Sequence, residues 1–431
     1  MSTEPTDSEL GRHLLTIRGF HFIFGAQGDP YALILRSESD DPVALGSQVR
    51  DSGELYRSEA GAWVTASHGL GAEILADPRL ELRHAGVDGD QQQHVFQDVW
   101  SEPKLCHVLP LDAACLNLER FEYERLTRLS VPVLGDRAIG GLRSRAERAF
   151  ARALDGVDGE FDLWSDVVRK AVVDTVAELL ALPAERREEF ARLTSGLGIA
   201  LDAGLCPPQL PTARAMAASV EQLRQLLAEA VQERVGGTGD DLVSTLWRES
   251  GPMDPGPNEL LSVATLLSVV GIDVTANLVC NGMSELLARP DQWALLRDDP
   301  ELAAGAVAET LRYAPPIRLH NRIAREELEL AGTSIPADSQ VVVLVEAANR
   351  DPAVYPDPDR FDITRDMKSA PLTLAGGLYA GFVAPFVTEV AATGLRTLAA
   401  RMPAVRQRDG VLRRMRSPVV QGLLRFPAAV A

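Results

Sequence analysis

The stretch from Asn258 to Arg289 constrains this chain more than any other. It follows Pro255-Gly256-Pro257 and stops before Pro290, so helix breakers mark both ends. Between them apolar residues fall on nearly every face, which predicts a helix crossing the centre of a protein. Its longest apolar run, Leu260–Val270, carries Ser262, Thr265 and Ser268 and is short for a membrane span. Such a helix needs a large core around it. The chain has 431 residues, 46% of them hydrophobic, and can supply one.

Helical periodicity dominates the rest. Phe161–Leu182 places Trp164, Val167, Val168, Ala171, Val172, Val176 and Leu179 at a 3.6-residue period. Thr212–Val235 repeats the pattern, and Gly236-Gly237 stops it. Another helix has Asp299 as its N-cap and Pro300 in its first turn, and ends before Pro315-Pro316. Within it Glu309 and Arg312 share a face at i,i+3. Strand signals are few: Leu33–Leu35, Ala62–Thr65, Leu328–Leu330 and Val341–Val345. The expected fold is mainly α with small β-sheets. Length alone allows two or three domains, but the pattern favours one, residues 11–431, behind a flexible N-terminus at 1–10.

The formal charge of −18 argues against nucleic acid or an anionic membrane as a partner held by a general field. The cysteines, Cys106, Cys115, Cys206 and Cys280, form no CxxC or metal-finger spacing. Cys106 and Cys115 are close enough in sequence to bridge, but free thiols in a reducing cytosol are the expectation. Met1–Glu9 has no signal-peptide apolar region, so a soluble cytoplasmic protein is expected.

Four collinear motifs carry a resemblance. AETLRY (308–313) resembles the Glu-x-x-Arg helix of the haem-thiolate monooxygenases, the cytochrome P450 family. AANRDPAVYPDPDRFDITR (347–365) is similar to that family's meander, with Arg360 in the place of its third core residue. VVGIDVTAN (269–277) resembles its oxygen-binding helix, and WVTASHGLGAEILADPRL (63–80) its early sheet and helix. The resemblance implies the triangular prism-like cytochrome P450 fold, with Glu309, Arg312 and Arg360 as a buried structural ion network.

The same comparison implies a degenerate haem site. In LTLAGGLYAGFVAPF (372–386), Gly381 stands in the place of the ligand cysteine and Tyr379 in the place of a histidine. The thiolate is the axial ligand that favours O–O cleavage, and glycine has no side chain to donate. A tyrosinate ligand at Tyr379 is the alternative; a packed or hydrogen-bonded tyrosine is the expectation. The family's propionate contacts fall on Tyr123, Thr127 and Pro371, none of them cationic; only Arg322 matches. In the oxygen-activating pair Asp273 matches the acid, but Val274 replaces the threonine. Thr275 follows, about 100° away around the helix. Asp273 in so apolar a helix needs a structural hydrogen bond. The resemblance therefore implies no haem and no catalytic residue. A vacated slot of a few hundred Å³, at ~24 cal/mol per Å³, would cost on the order of 10 kcal/mol. Leu374, Leu378, Phe382 and Val383, or a shifted central helix, are expected to fill it.

Within the family, the cysteine-less loop and His13–Arg36 (HLLTIRGFHFIFGAQGDPYALILR) resemble auxiliary proteins of macrolide and anthracycline biosynthesis. That resemblance implies a non-catalytic, actinobacterial partner that activates or stabilises a nucleotide-deoxysugar glycosyltransferase. Phe20, Phe22 and Phe24 are the candidate partner contact. Two other readings stay open: a divergent monooxygenase holding haem by an unusual ligand, and a small-molecule binder using the old substrate pocket.

Overall fold

A computed structural model describes residues 6–38, 41–82, 109–135 and 138–430. Cys106 lies outside them, so its pairing with Cys115 does too; Cys115, Cys206 and Cys280 are free and buried. The chain opens with α1 (Asp7–Ala26), where Thr6 and Glu9 form a capping box. Asp7–Leu10, expected within the flexible N-terminus, are helical, and Leu10 is fully buried.

Leu33–Leu35 is a helix, not the expected strand. Asp29 accepts from the Ala32 amide, Pro30 takes the first turn, and α2 runs Pro30–Arg36. Phe161 falls the other way. Glu160–Asp162 pairs with Pro427–Ala429 as a strand, and the Asp162 carboxylate then caps the next helical turn. The helix expected from Phe161 therefore begins at Leu163 as a π turn and continues through Arg169–Leu179. The helix expected over Thr212–Val235 spans Leu210–Arg234.

The main sheet has five short strands: β1 (Tyr56–Arg57), β2 (Trp63–Thr65), β3 (Leu80–Glu81), β4 (Leu319–Ala324) and β5 (Gln340–Leu344). Their order is β1-β2-β5-β4-β3, with β2 and β5 parallel and the other pairs antiparallel.

At the centre lies one continuous helix, Pro257–Leu287, fully buried along its apolar stretch. It is long and apolar enough to cross a membrane by composition alone; its burial makes it a core helix. A π turn interrupts it over Leu267–Gly271. There a Cβ on Gly271 would sit 3.1 Å from the Phe386 ring, so glycine lets that ring close on the bulge. The central helix packs on α3 (Ala303–Tyr313) and α4 (Val383–Arg401). The mainly helical architecture with small sheets is the one expected.

Candidate functional site

The structural ion network is buried, with one member reassigned. Arg312 donates from Nε and Nη2 to both carboxylate oxygens of Glu309, each at 2.8 Å, and neither side chain reaches solvent. Arg312 also donates to the carbonyls of Pro358 and Arg360. Glu309 accepts from the Asp362 amide. Arg360 was expected as the third partner, but its side chain is 66% exposed and pairs with Asp362. Arg365 takes the place instead: it is 11% exposed and reaches Glu309 at 3.3 Å. The meander turns so that Arg360 contributes only its carbonyl, to Arg312 and Arg365.

This network anchors the loop at 371–382. Asn349 accepts from the Leu372 amide and donates to the Leu311 carbonyl and Thr373 hydroxyl. His320 on β4 places Nε2 3.0 Å from the Leu372 carbonyl, so that nitrogen carries the proton. Burial depresses its pKa to about 3. Neither Asn349 nor His320 was foreseen. Each bonds a backbone group distant in sequence, and no local pattern records that.

Tyr123 sits on α5, the helix Arg120–Leu134, where it holds the loop from the other side. Its hydroxyl is 2.9 Å from the Leu378 carbonyl and also within reach of Ala380, and its ring stacks on Phe382. Thr127 lies one turn on and donates to the Tyr123 carbonyl. Gly381 faces it with φ +56°, and a Cβ there would lie 2.3 Å from Thr127 Oγ1. Tyr379 packs its ring against His320, and burial raises its pKa far above the usual phenol range. Pro371 precedes the short turn Leu372–Leu374 and has no amide to donate.

The expected filling is partial. Leu378, Phe382 and Val383 are buried in the main core, and Leu374 packs partly against it. A cleft of about 490 Å³ remains between this loop, α5 and strands β3 and β4. Tyr123, Thr127, Gly381 and Arg322 line it; Asp273 and Val274 do not. The sites that looked collinear with one cofactor are thus split. Asp273 is buried, with its carboxylate against the Gly198 backbone. Burial raises its pKa, with Arg169 and Arg414 opposing. Val274 is fully buried, and the Thr275 hydroxyl is buried with no hydrogen-bond partner.

The residues present do not fit a thiolate-held haem. Gly381 has no donor, and Thr127 occupies the direction a side chain would take. Tyr379 is held as a neutral phenol, not the tyrosinate that ligates iron. Burial likewise pushes the Cys280 thiol far up. Among the described residues no three His, Cys, Asp or Glu side chains converge as metal ligands.

The candidate contact on α1 divides in two. Phe22 is 57% exposed, with Leu15 and Ile23 exposed beside it on the same helix. Phe20 and Phe24 are half-buried and stack on each other, so they form its base. The Arg36 guanidinium lies over the Phe22 ring at 5.1 Å.

Comparisons with known proteins agree with this architecture. The family Cytochrome P450 matches residues 288–368. Protein AknT of Streptomyces galilaeus is 48% identical over 428 residues, covering 98% of this chain and 96% of that protein. The ligand-free crystal structure of Mycobacterium smegmatis CYP164A2 superposes with a TM-score of 0.77 at 26% identity, over 93% of this chain and 99% of that one. Cytochrome P450 monooxygenase PikC of Streptomyces venezuelae is 30% identical over 94% of this chain and 92% of its own. With such identity held along nearly the whole of both chains, the protein belongs to the cytochrome P450 family.

Proposed function

We propose that this family member works without haem, as a non-catalytic helper. It binds and activates a nucleotide-deoxysugar glycosyltransferase in polyketide antibiotic biosynthesis. The observation that carries the haem-free reading is the contact between Gly381 and Thr127. Glycine offers iron no axial donor, and Thr127 occupies the direction that a side chain at 381 would take. The intact Glu309–Arg312–Arg365 network and the pinned loop support a scaffold kept folded for some use other than oxygen chemistry. A protein without a reacting group acts by binding. It activates a partner when it holds the competent conformation more tightly than the incompetent one.

The exposed Leu15–Phe22–Ile23 face of α1 supplies an apolar and aromatic anchor of the kind found at binding hot spots. The free thiols of Cys115, Cys206 and Cys280 suit a cytoplasmic setting.

The test is reconstitution. A deoxysugar glycosyltransferase from the same biosynthetic pathway is expressed alone and together with this chain, and sugar transfer to the aglycone is measured. Transfer should rise strongly on co-expression, and the two chains should co-purify. Equal transfer with and without this chain would refute the helper role.

A further inference from the structure

A small cavity of about 100 Å³ lies where α2 meets the hairpin of Leu412–Arg413 with Leu423–Arg425. It shares no lining residue with the cleft at Gly381. Arg318, Arg413 and Arg414 line it, and Glu38 is the acid among its lining residues.

The charges there do not balance. Arg318 precedes β4, and its side chain is only 6% exposed. Its Nε donates to Glu346 at 2.6 Å, and its terminal nitrogens make no hydrogen bond among the described residues. Half-buried Arg413 is held by neutral oxygens, donating to Asn281 Oδ1 at 2.8 Å and to the Gln421 carbonyl at 3.4 Å. Burial lowers its pKa, and the Arg318 charge adds to this against Glu346 and Glu285. The side chain of half-buried Arg414 makes no hydrogen bond or ion pair among the described residues. Asp202 feels its charge through space, but that carboxylate accepts from Ser417 and from the Val419 and Val420 amides. Glu38 is engaged by Arg36 at 3.0 Å and Arg416 at 3.4 Å. Arg413 and Arg414 are thus left without a carboxylate partner, and half-buried cations gathered this way need an anion.

The backbone holds the cavity in a costly shape. Ser37 and Gln421 line it with φ +48° and +46°, the left-handed region that side chains disfavour. Arg416, at φ +57°, donates its amide to the Ser37 carbonyl and ties the hairpin to α2. Residues kept in such conformations cluster at ligand clamps.

We infer that this cavity seats one tetrahedral oxyanion, a phosphate or phosphoryl group, between Arg318, Arg413 and Arg414. Guanidinium forks match phosphate oxygens in geometry and charge. The volume is small against a drug-sized pocket, so any larger body attached to the phosphoryl group lies outside it. The net charge of −18 opposes anions in general, so binding must come from this local arrangement. The inference stands apart from the helper role, since it invokes no partner protein.

Calorimetric titration of the full chain with inorganic phosphate, uridine diphosphate and acetate, at fixed ionic strength, tests it. Phosphate or uridine diphosphate should bind at one site at least about tenfold tighter than acetate. The tighter of the two tells a free phosphate from the end group of a larger molecule. Arg414→Gln, which breaks no bond within the protein, should weaken binding by at least about tenfold. Arg425→Gln removes the same charge from a side chain 62% exposed on the same hairpin, outside the cavity, and should leave binding unchanged. Three results would overturn the inference: acetate binding as tightly as both phosphates, binding unchanged in Arg414→Gln, or an equal loss in Arg425→Gln. Absence of binding by both phosphates overturns it as well.

Discussion

Thr127 stands where a side chain on residue 381 would go: its Oγ1 is 2.3 Å from the Cβ position of Gly381. The backbone there is left-handed, at φ +56°, a conformation glycine adopts freely and cysteine does not. The loss of the ligand is therefore built into two elements, the loop and α5.

Restoring the cysteine alone should fail. Gly381→Cys is expected to destabilise the fold by about 1–3 kcal/mol, from strain at φ > 0 and the clash with Thr127. It should take up no haem. Adding Thr127→Ala should recover part of the stability and still no haem. Urea unfolding and the visible spectrum report the two effects.

The ion network makes a sharper distinction. Breaking the fully buried Glu309–Arg312 pair with Arg312→Met should cost about 3–5 kcal/mol, because the carboxylate stays buried without its main partner. Arg365→Ala should be clearly destabilising. Arg360→Ala, at a side chain 66% exposed, should stay within about 0.5 kcal/mol of the unsubstituted protein. Equal losses at Arg360 and Arg365 would restore the assignment suggested by the sequence.

The α1 face separates binding from folding. Phe22→Ser with Ile23→Ser removes two exposed apolar side chains and should shift stability by no more than about 0.5 kcal/mol per site. The same double variant should lose glycosyltransferase activation. Phe24→Ser is expected to cost stability, because Phe24 stacks on Phe20. Full activation by the Phe22/Ile23 variant would move the partner surface elsewhere.

Acid should loosen the loop through His320. Burial lowers its folded pKa to about 3, well below its usual value of 6.5. A base depressed in this way contributes stability above the unfolded pKa and loses it as pH falls from 6.5 toward 3. The loss approaches ~1.4 kcal/mol per pH unit for one group. His320→Asn keeps a donor for the Leu372 carbonyl and should flatten that slope between pH 6.5 and 5. Parallel slopes for the two proteins would mean that His320 is not buried as a neutral base.

The central helix was legible because it is apolar on every face and bracketed by proline. Gly381, Tyr379 and Val274 were legible as substitutions within motifs. What stayed hidden depends on backbone far away in sequence. Leu33–Leu35 looks like a strand until Asp29 and Pro30 are seen to open a helix. Arg360 and Arg365 lie five residues apart on one meander, and only its turn decides which reaches Glu309. His320 and Asn349 act on carbonyl and amide groups of the loop that no spacing announces. The bulk of Leu378, Phe382 and Val383 was legible as filling, but that Asp273 would lie outside the Gly381 cleft was not, since no spacing records which side chains line one cavity.

We propose a cytochrome P450 scaffold that works without haem chemistry. Its most direct test is the visible absorption spectrum of the protein purified from haem-supplemented cells, read against protein concentration. A chain that holds no haem shows no Soret band beyond the trace that any apolar surface retains. A Soret band near one haem per chain would contradict it.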